Sequence, residues 1–202
     1  MRTSLKPQQD AFIYEKLRKE LEELLRLEDN EYVKVYFGDE SGFCLDPTIP
    51  YGWQDKSKHR LIVPKKSKRR NVFGILSRRN EYHGFSTVGS MNAEVLIGFL
   101  DEFVQKIKEK TVVVLDNAPF HHAKAFKNKI KEWQEQDLYI WFLPPYSPHL
   151  NLIETLWRKI KYEWLKPADY VNWNALNTAL DNIFKNIGKE LKINFKNKLS
   201  II

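Results

Sequence analysis

TVVVLDNAPFHHAK, running from Thr111 to Lys124, is the stretch that decides the fold. Val112, Val113, Val114 and Leu115 are apolar at every position, which predicts a strand buried on both faces, and such strands belong to sheets covered by helices on both sides. In open sheets of that kind ligands collect beyond the carboxyl ends of the strands. Asp116, the first residue past the run, therefore sits where a functional acid belongs. With Asn117 and Pro119 it also fits a plainer role, ending the strand and capping the next helix.

Toward the amino terminus lies VKVYFGDESGF, Val33 to Phe43. Asp39 shares its parity with Val33, Val35 and Phe37, so its carboxylate is expected on the inward face, where a charge is costly unless something compensates it. Asp-Glu-Ser-Gly is also good turn chemistry, and the strands expected here are 32–39 and 42–46. Toward the carboxyl terminus, LPPYSPHLNLIETLW (Leu143 to Trp157) is a proline-rich loop running into a helix expected from about Asn151 to about Lys166. Glu154 falls in its first turn, able to point back at the sheet. Asn151 and Glu154 also have the spacing of a capping box.

Three acids brought together repel one another unless a divalent cation lies between them. Oxygen-only ligands favour Mg²⁺ or Mn²⁺. Such ions, held in pairs roughly 3.5–4 Å apart, carry out in-line displacement at phosphorus. The chemistry indicated is the cutting or joining of phosphodiesters.

These residues resemble the DDE transposases of bacterial insertion sequences, on the branch that includes the mariner-like elements. LPPYSPHLNLIETLWRKIK is similar to the family's block around its third acid, LDNAPFHHAK to the block around its second, GDESGF to the first, and Gly52-Trp53 to a glycine-tryptophan pair just downstream. The resemblance covers about residues 10–170, and Asp116 and Glu154 are 154 − 116 = 38 positions apart, a separation of the size the family uses. Leu152 stands where the family usually has proline and Ser57 where glycine is common; neither position supplies a metal ligand.

The resemblance implies an α/β, ribonuclease-H-like fold with a mixed central sheet flanked by helices. It implies Asp39, Asp116 and Glu154 as catalytic residues and metal ligands for two Mg²⁺ or Mn²⁺ ions. Water would attack the strand at the element end, and the freed 3′-hydroxyl would then attack target DNA. Expected partners are the element ends and target DNA, a second copy of the chain as a homodimer on DNA, and a helix-turn-helix reading segment encoded upstream or lost. The chain begins only 38 residues before Asp39, which points to the downstream half of a split gene or to a truncated remnant. A DNA-binding remnant without cleavage activity is the alternative. A ribonuclease on RNA–DNA hybrids shares the fold, but the Leu143–Glu154 block points away from it.

Composition agrees with a nucleic-acid enzyme. The 202 residues, with 43% hydrophobic content and 6 Trp, 9 Tyr and 12 Phe, suffice for a substantial core, and a net charge of +7 favours a polyanionic partner. Lys56, Lys58, Arg60, Lys65, Lys66, Lys68, Arg69, Arg70, Arg78 and Arg79 follow one another without a single acid between them. Such a run is often only a solvated arm; beside a phosphodiester site, Lys65, Lys66, Lys68, Arg69 and Arg70 are the candidate DNA contacts. Cys44 is the only cysteine, which rules out an internal disulfide, argues against a thiolate zinc site and suits a reducing cytoplasm. Asn117, His121 and His122 are candidates for a supporting role around the acids; adjacent histidines diverge on a helix and do not readily share one ion. No apolar run is long enough to span a membrane, and a location in the bacterial cytoplasm at the nucleoid is expected.

The element order expected is a helix at 10–27, the strands above, strands at 71–77 and 82–89, a helix at 92–109, the Asp116 strand, a helix at 122–135, a strand at 138–143 and the Glu154 helix. Leu176, Leu180, Phe184 and Ile187 have helical spacing, with Gly188 as the residue just past the helix end. The organisation expected is an N-terminal helix in 1–30, the catalytic domain in 31–170, and a C-terminal helix with a basic tail in 171–202.

Overall fold

The computed structural model describes residues 10–46, 68–118 and 123–195. Gly52, Trp53, Ser57, Lys65, Lys66, His121 and His122 lie outside the described residues.

Five strands form one mixed sheet: β1 (Lys34–Phe43), β2 (Arg70–Ser77), β3 (Tyr82–Thr87), β4 (Thr111–Leu115) and β5 (Leu138–Phe142), in the spatial order β3-β2-β1-β4-β5. The first three are antiparallel neighbours, whereas β4 and β5 run parallel to β1. Helices α1 (Ala11–Asp29), α2 (Ala93–Val104), α3 (Lys124–Gln134), α4 (Ile153–Lys159) and α5 (Trp173–Asn186) cover both faces. Alternation along the strands sends successive side chains to opposite faces and so builds two cores. Val35, Phe37, Val112 and Val114 meet Leu21 and Leu25 of α1, Leu156 of α4 and Leu176 and Leu180 of α5. Tyr36, Phe73, Val113 and Leu115 meet Leu96 and Leu100 of α2 and Phe126 and Trp133 of α3. β4 is buried at every position because it contributes to both.

Short polar side chains start three of the helices. Asp10, Asn92 and Asn172 accept hydrogen bonds from the backbone N–H groups of Ile13, Val95 and Ala175, satisfying donors that the first turn leaves open. α5 ends as its sequence indicates: Gly188, two residues past Asn186, has φ +80°, and a Cβ there would collide with the carbonyl of Asn80.

Three elements differ from the sequence expectation. The strands expected at 32–39 and 42–46 are one continuous strand, because β2 pairs with it from Tyr36 to Phe43 without a break: Asp39 opposes Gly74, Glu40 opposes Phe73, Ser41 opposes Val72 and Gly42 opposes Asn71. A full ladder satisfies the backbone better than a turn at Asp-Glu-Ser-Gly would. α2 stops at Val104 rather than 109, where the Lys106 N–H turns back to the Phe103 carbonyl at 2.9 Å. The Glu154 segment is compound: a 3₁₀ turn at Pro148–Leu150, α4, then a π-helical turn at Ile160–Trp164.

Candidate active site

The site is set by the register of β1 on β4. Phe37 pairs with Val114, so two positions on, Asp39 and Asp116 stand level at the carboxyl end of the parallel pair and share the face of Phe37 and Val114. α4 packs on that same face through Ile153, Leu156 and Trp157, which places Glu154, in its first turn, over the same strand ends.

The carboxylates feel one another. Asp39 is raised from 3.8 to about 8, first by burial and then by the charges of Glu154 and Asp116, against a lowering hydrogen bond from the Glu40 backbone. Glu154 opens to solvent and is raised by partial burial and by Asp116, opposed by the ammonium of Lys161. The Asp116 Oδ1 accepts from the Ala118 N–H at 3.1 Å, the turn that lets the chain leave the sheet. As the side chains stand, no three His, Cys, Asp or Glu groups among the described residues form a ready-made metal cluster. The donor set nevertheless fits a hard divalent cation: all three groups are carboxylates, and the shift on Asp39 is what a positive charge between them would relieve.

Supporting contacts tie the three segments together. Asn117 donates its side-chain amide to the Leu143 carbonyl, joining the exit of β4 to the loop that leads to Glu154. Asn151 does not form the expected capping box. It is buried, and its Nδ2 donates at 3.0 Å to the carbonyl of Gly38, while α4 begins two residues later, at Ile153, without a side-chain cap. A cap would use the Asn151 Oδ1 as acceptor, and that buried oxygen accepts no hydrogen bond among the described residues.

The basic run splits in two. Lys68 and Arg69 are exposed, and Arg69 lines a cavity of about 330 Å³ together with Glu154, Trp157 and Lys161. Arg70 is held by contacts within the chain. Its guanidinium binds Asp181 at 2.6 Å, Ser86 at 2.9 Å and the Asn177 side chain at 3.1 Å, and lies 5.8 Å from the centre of the Phe184 ring. These contacts cross-link β2, β3 and α5.

Sequence reasoning missed Lys161 and Trp157. Lys161 sits in the π-helical turn, its ammonium 5.4 Å from the centre of the Phe43 ring and lowered from its ordinary value by burial, with Glu154 opposing and Arg69 adding to that. Its signal was spacing: seven residues past Glu154 is two turns along one helix face. Trp157 donates its indole N–H to Asp39 Oδ2 at 3.1 Å. Its place one turn after Glu154 was visible, but its partner was not.

Residues 34–177 match the family described as DDE superfamily endonuclease. No curated protein sequence matches the chain. Among solved structures, the Mos1 transposase paired-end complex with the left transposon end superposes with a TM-score of 0.60 at 18% identity, over 87% of this chain and 55% of that one. The catalytic domain of Mos1 mariner transposase gives 0.53 at 16% identity, over 87% and 82% of the two chains. The catalytic core domain of BIV integrase gives 0.50 at 12% identity, over 79% and 86%. The chain thus spans little more than half of the Mos1 chain in the first complex. At these identities the likeness establishes the fold, a mixed sheet between helices of the ribonuclease-H-like kind, and the match over most of its length places the chain in the DDE superfamily endonuclease family.

Proposed function

We propose that this chain is the catalytic domain of a transposase that cleaves DNA at the ends of a mobile element and transfers the freed strand to target DNA. The observation that carries the reading is the meeting of Asp39, Asp116 and Glu154 just past the parallel pairing of β1 with β4, in a chain whose family is the DDE endonucleases. Further support comes from what the similar structures are: Mos1 complexes with a transposon end, with Mg, with Mn, and a strand transfer complex.

Asp39, Asp116 and Glu154 would hold a divalent cation, Mg²⁺ or Mn²⁺, and a pair of them in the complete site. When bound, such ions activate the attacking oxygen and stabilise the leaving one. The protein's own contribution is positioning and charge. Lys161 and Arg69, on the rim beside Glu154, hold the phosphates flanking the scissile bond, and Lys65, Lys66 and Lys68 extend that grip along the backbone. Residues 31–170 form the catalytic unit, with the helix before it and the helix and tail after it as its flanks. On DNA the chain works as a homodimer.

The experiment is cleavage of a labelled duplex in Mg²⁺ by the wild type and by Asp39→Asn, Asp116→Asn and Glu154→Gln. Each substitution is expected to abolish cutting while the circular dichroism of the protein is unchanged. Wild-type cutting by any of the three removes that residue from the site.

A further inference from the structure

Trp157 is 2% exposed and packs edge-on to Phe43, yet its one polar atom is directed at a carboxylate: Nε1 donates to Asp39 Oδ2 at 3.1 Å. Three residues before Glu154, Asn151 donates to the carbonyl of Gly38; three residues after it, Trp157 reaches Asp39. Two side chains that bracket Glu154 thus grip consecutive residues of β1. The sheet is cut to admit the indole. Gly74 stands opposite Asp39, and a Cβ at that position would come within 2.9 Å of the Trp157 ring.

On the reading that the three acids share a divalent cation, we propose that Trp157 is a positioning residue for the first acid. Its indole N–H holds the Asp39 carboxylate in one orientation while Asn151 holds the neighbouring Gly38, and together the two contacts set where Glu154 stands relative to Asp39. A neutral donor occupies one oxygen without neutralising the carboxylate, so the ligand keeps its charge and loses its rotational freedom. Core packing alone does not call for this arrangement, because a phenyl ring would fill much of the same space. The chain also contains a built-in control on the opposite face of the sheet. There the Trp133 indole donates to Asp101 at 2.8 Å, an indole–carboxylate bond of the same chemistry among the α2 and α3 side chains.

The test is a Mg²⁺ titration of the ¹⁵N-labelled chain, with Trp indole resonances assigned, alongside the Mg²⁺-dependent rise in melting temperature of wild type, Trp157→Phe and Trp133→Phe. In the wild type the Trp157 indole resonance should move saturably with Mg²⁺. Trp157→Phe should weaken Mg²⁺ binding about 10–100-fold, the usual cost of losing an outer contact to a metal ligand. Trp133→Phe should lower the metal-free melting temperature and leave Mg²⁺ affinity alone. If amides around the acids shift while the Trp157 indole stays still, or Trp157→Phe binds Mg²⁺ as tightly as wild type, the positioning role is wrong and the metal site stands. If nothing near the acids responds to Mg²⁺, both readings fall. Should Trp157→Phe not fold, the wild-type titration alone decides.

Discussion

Replacing Asp39 by Asn should make the metal-free protein more stable, even though it removes a residue assigned to catalysis. The carboxyl of Asp39 lies at about 8 in the folded chain against an ordinary 3.8. Between those values the folded state keeps a proton that the unfolded chain has released. Stability therefore falls as pH rises from about 4 to about 8, then levels off, and at pH 4 the penalty is absent. The difference, 8 − 3.8, is about 4 pH units and, at 1.36 kcal/mol per unit, sets an upper limit near 6 kcal/mol. Solvent reaches part of Asp39 and its neighbours relax, which screens most of that and leaves about 1–2 kcal/mol. Asn offers the Trp157 indole the same acceptor without the charge. For a domain of this size about 1–2 kcal/mol corresponds to a melting temperature roughly 2–8 °C higher. Thermal melts in EDTA from pH 4 to pH 8.5 should show the gap opening with pH. Saturating Mg²⁺ should reverse the order, because only the wild type gains from binding, by about 2.7 kcal/mol at a hundredfold excess over Kd. A variant that melts below wild type at pH 8 in EDTA, or a gap of equal size at pH 4, would refute the picture of Asp39 as a buried, repelled carboxylate.

Cleavage should require Mg²⁺ or Mn²⁺ and stop in EDTA, while Ca²⁺, with its looser coordination, should bind without turnover; cutting in EDTA would sink the metal reading. Arg69→Gln should flatten the slope of log affinity against log salt by about one unit on any duplex, whereas Arg70→Gln should leave that slope unchanged and cost about 1–3 kcal/mol of stability in urea melts. Equal slopes for Arg69→Gln and wild type would remove Arg69 from the DNA surface. Gly188→Ala should cost about 1–3 kcal/mol, since alanine resists a positive φ and its Cβ meets the Asn80 carbonyl; an unchanged urea midpoint would show that the tail rearranges freely.

Much of this molecule was legible in one dimension because the signals were local. A short all-apolar run rich in β-branched residues reads as a strand covered on both sides, and that reading of Val112–Leu115 carried the layered architecture with it. Strand parity placed Asp39 on the face where it lies, and helical spacing with a glycine stop described α5 and Gly188. What the sequence left undecided were matters of which partner wins. The turn chemistry of Asp39–Gly42 was real but lost to a full ladder with β2. Asn151 had capping spacing but gave its amide to Gly38. Arg70 looked like one more member of a basic run until Asp181, Ser86 and Asn177 arrived from other elements. Trp157 carries no mark in the chain of the carboxylate it holds 118 residues away. A side chain's intrinsic preference is written in its own neighbourhood, and its hydrogen-bond partner is chosen only when distant segments come within hydrogen-bond reach of it.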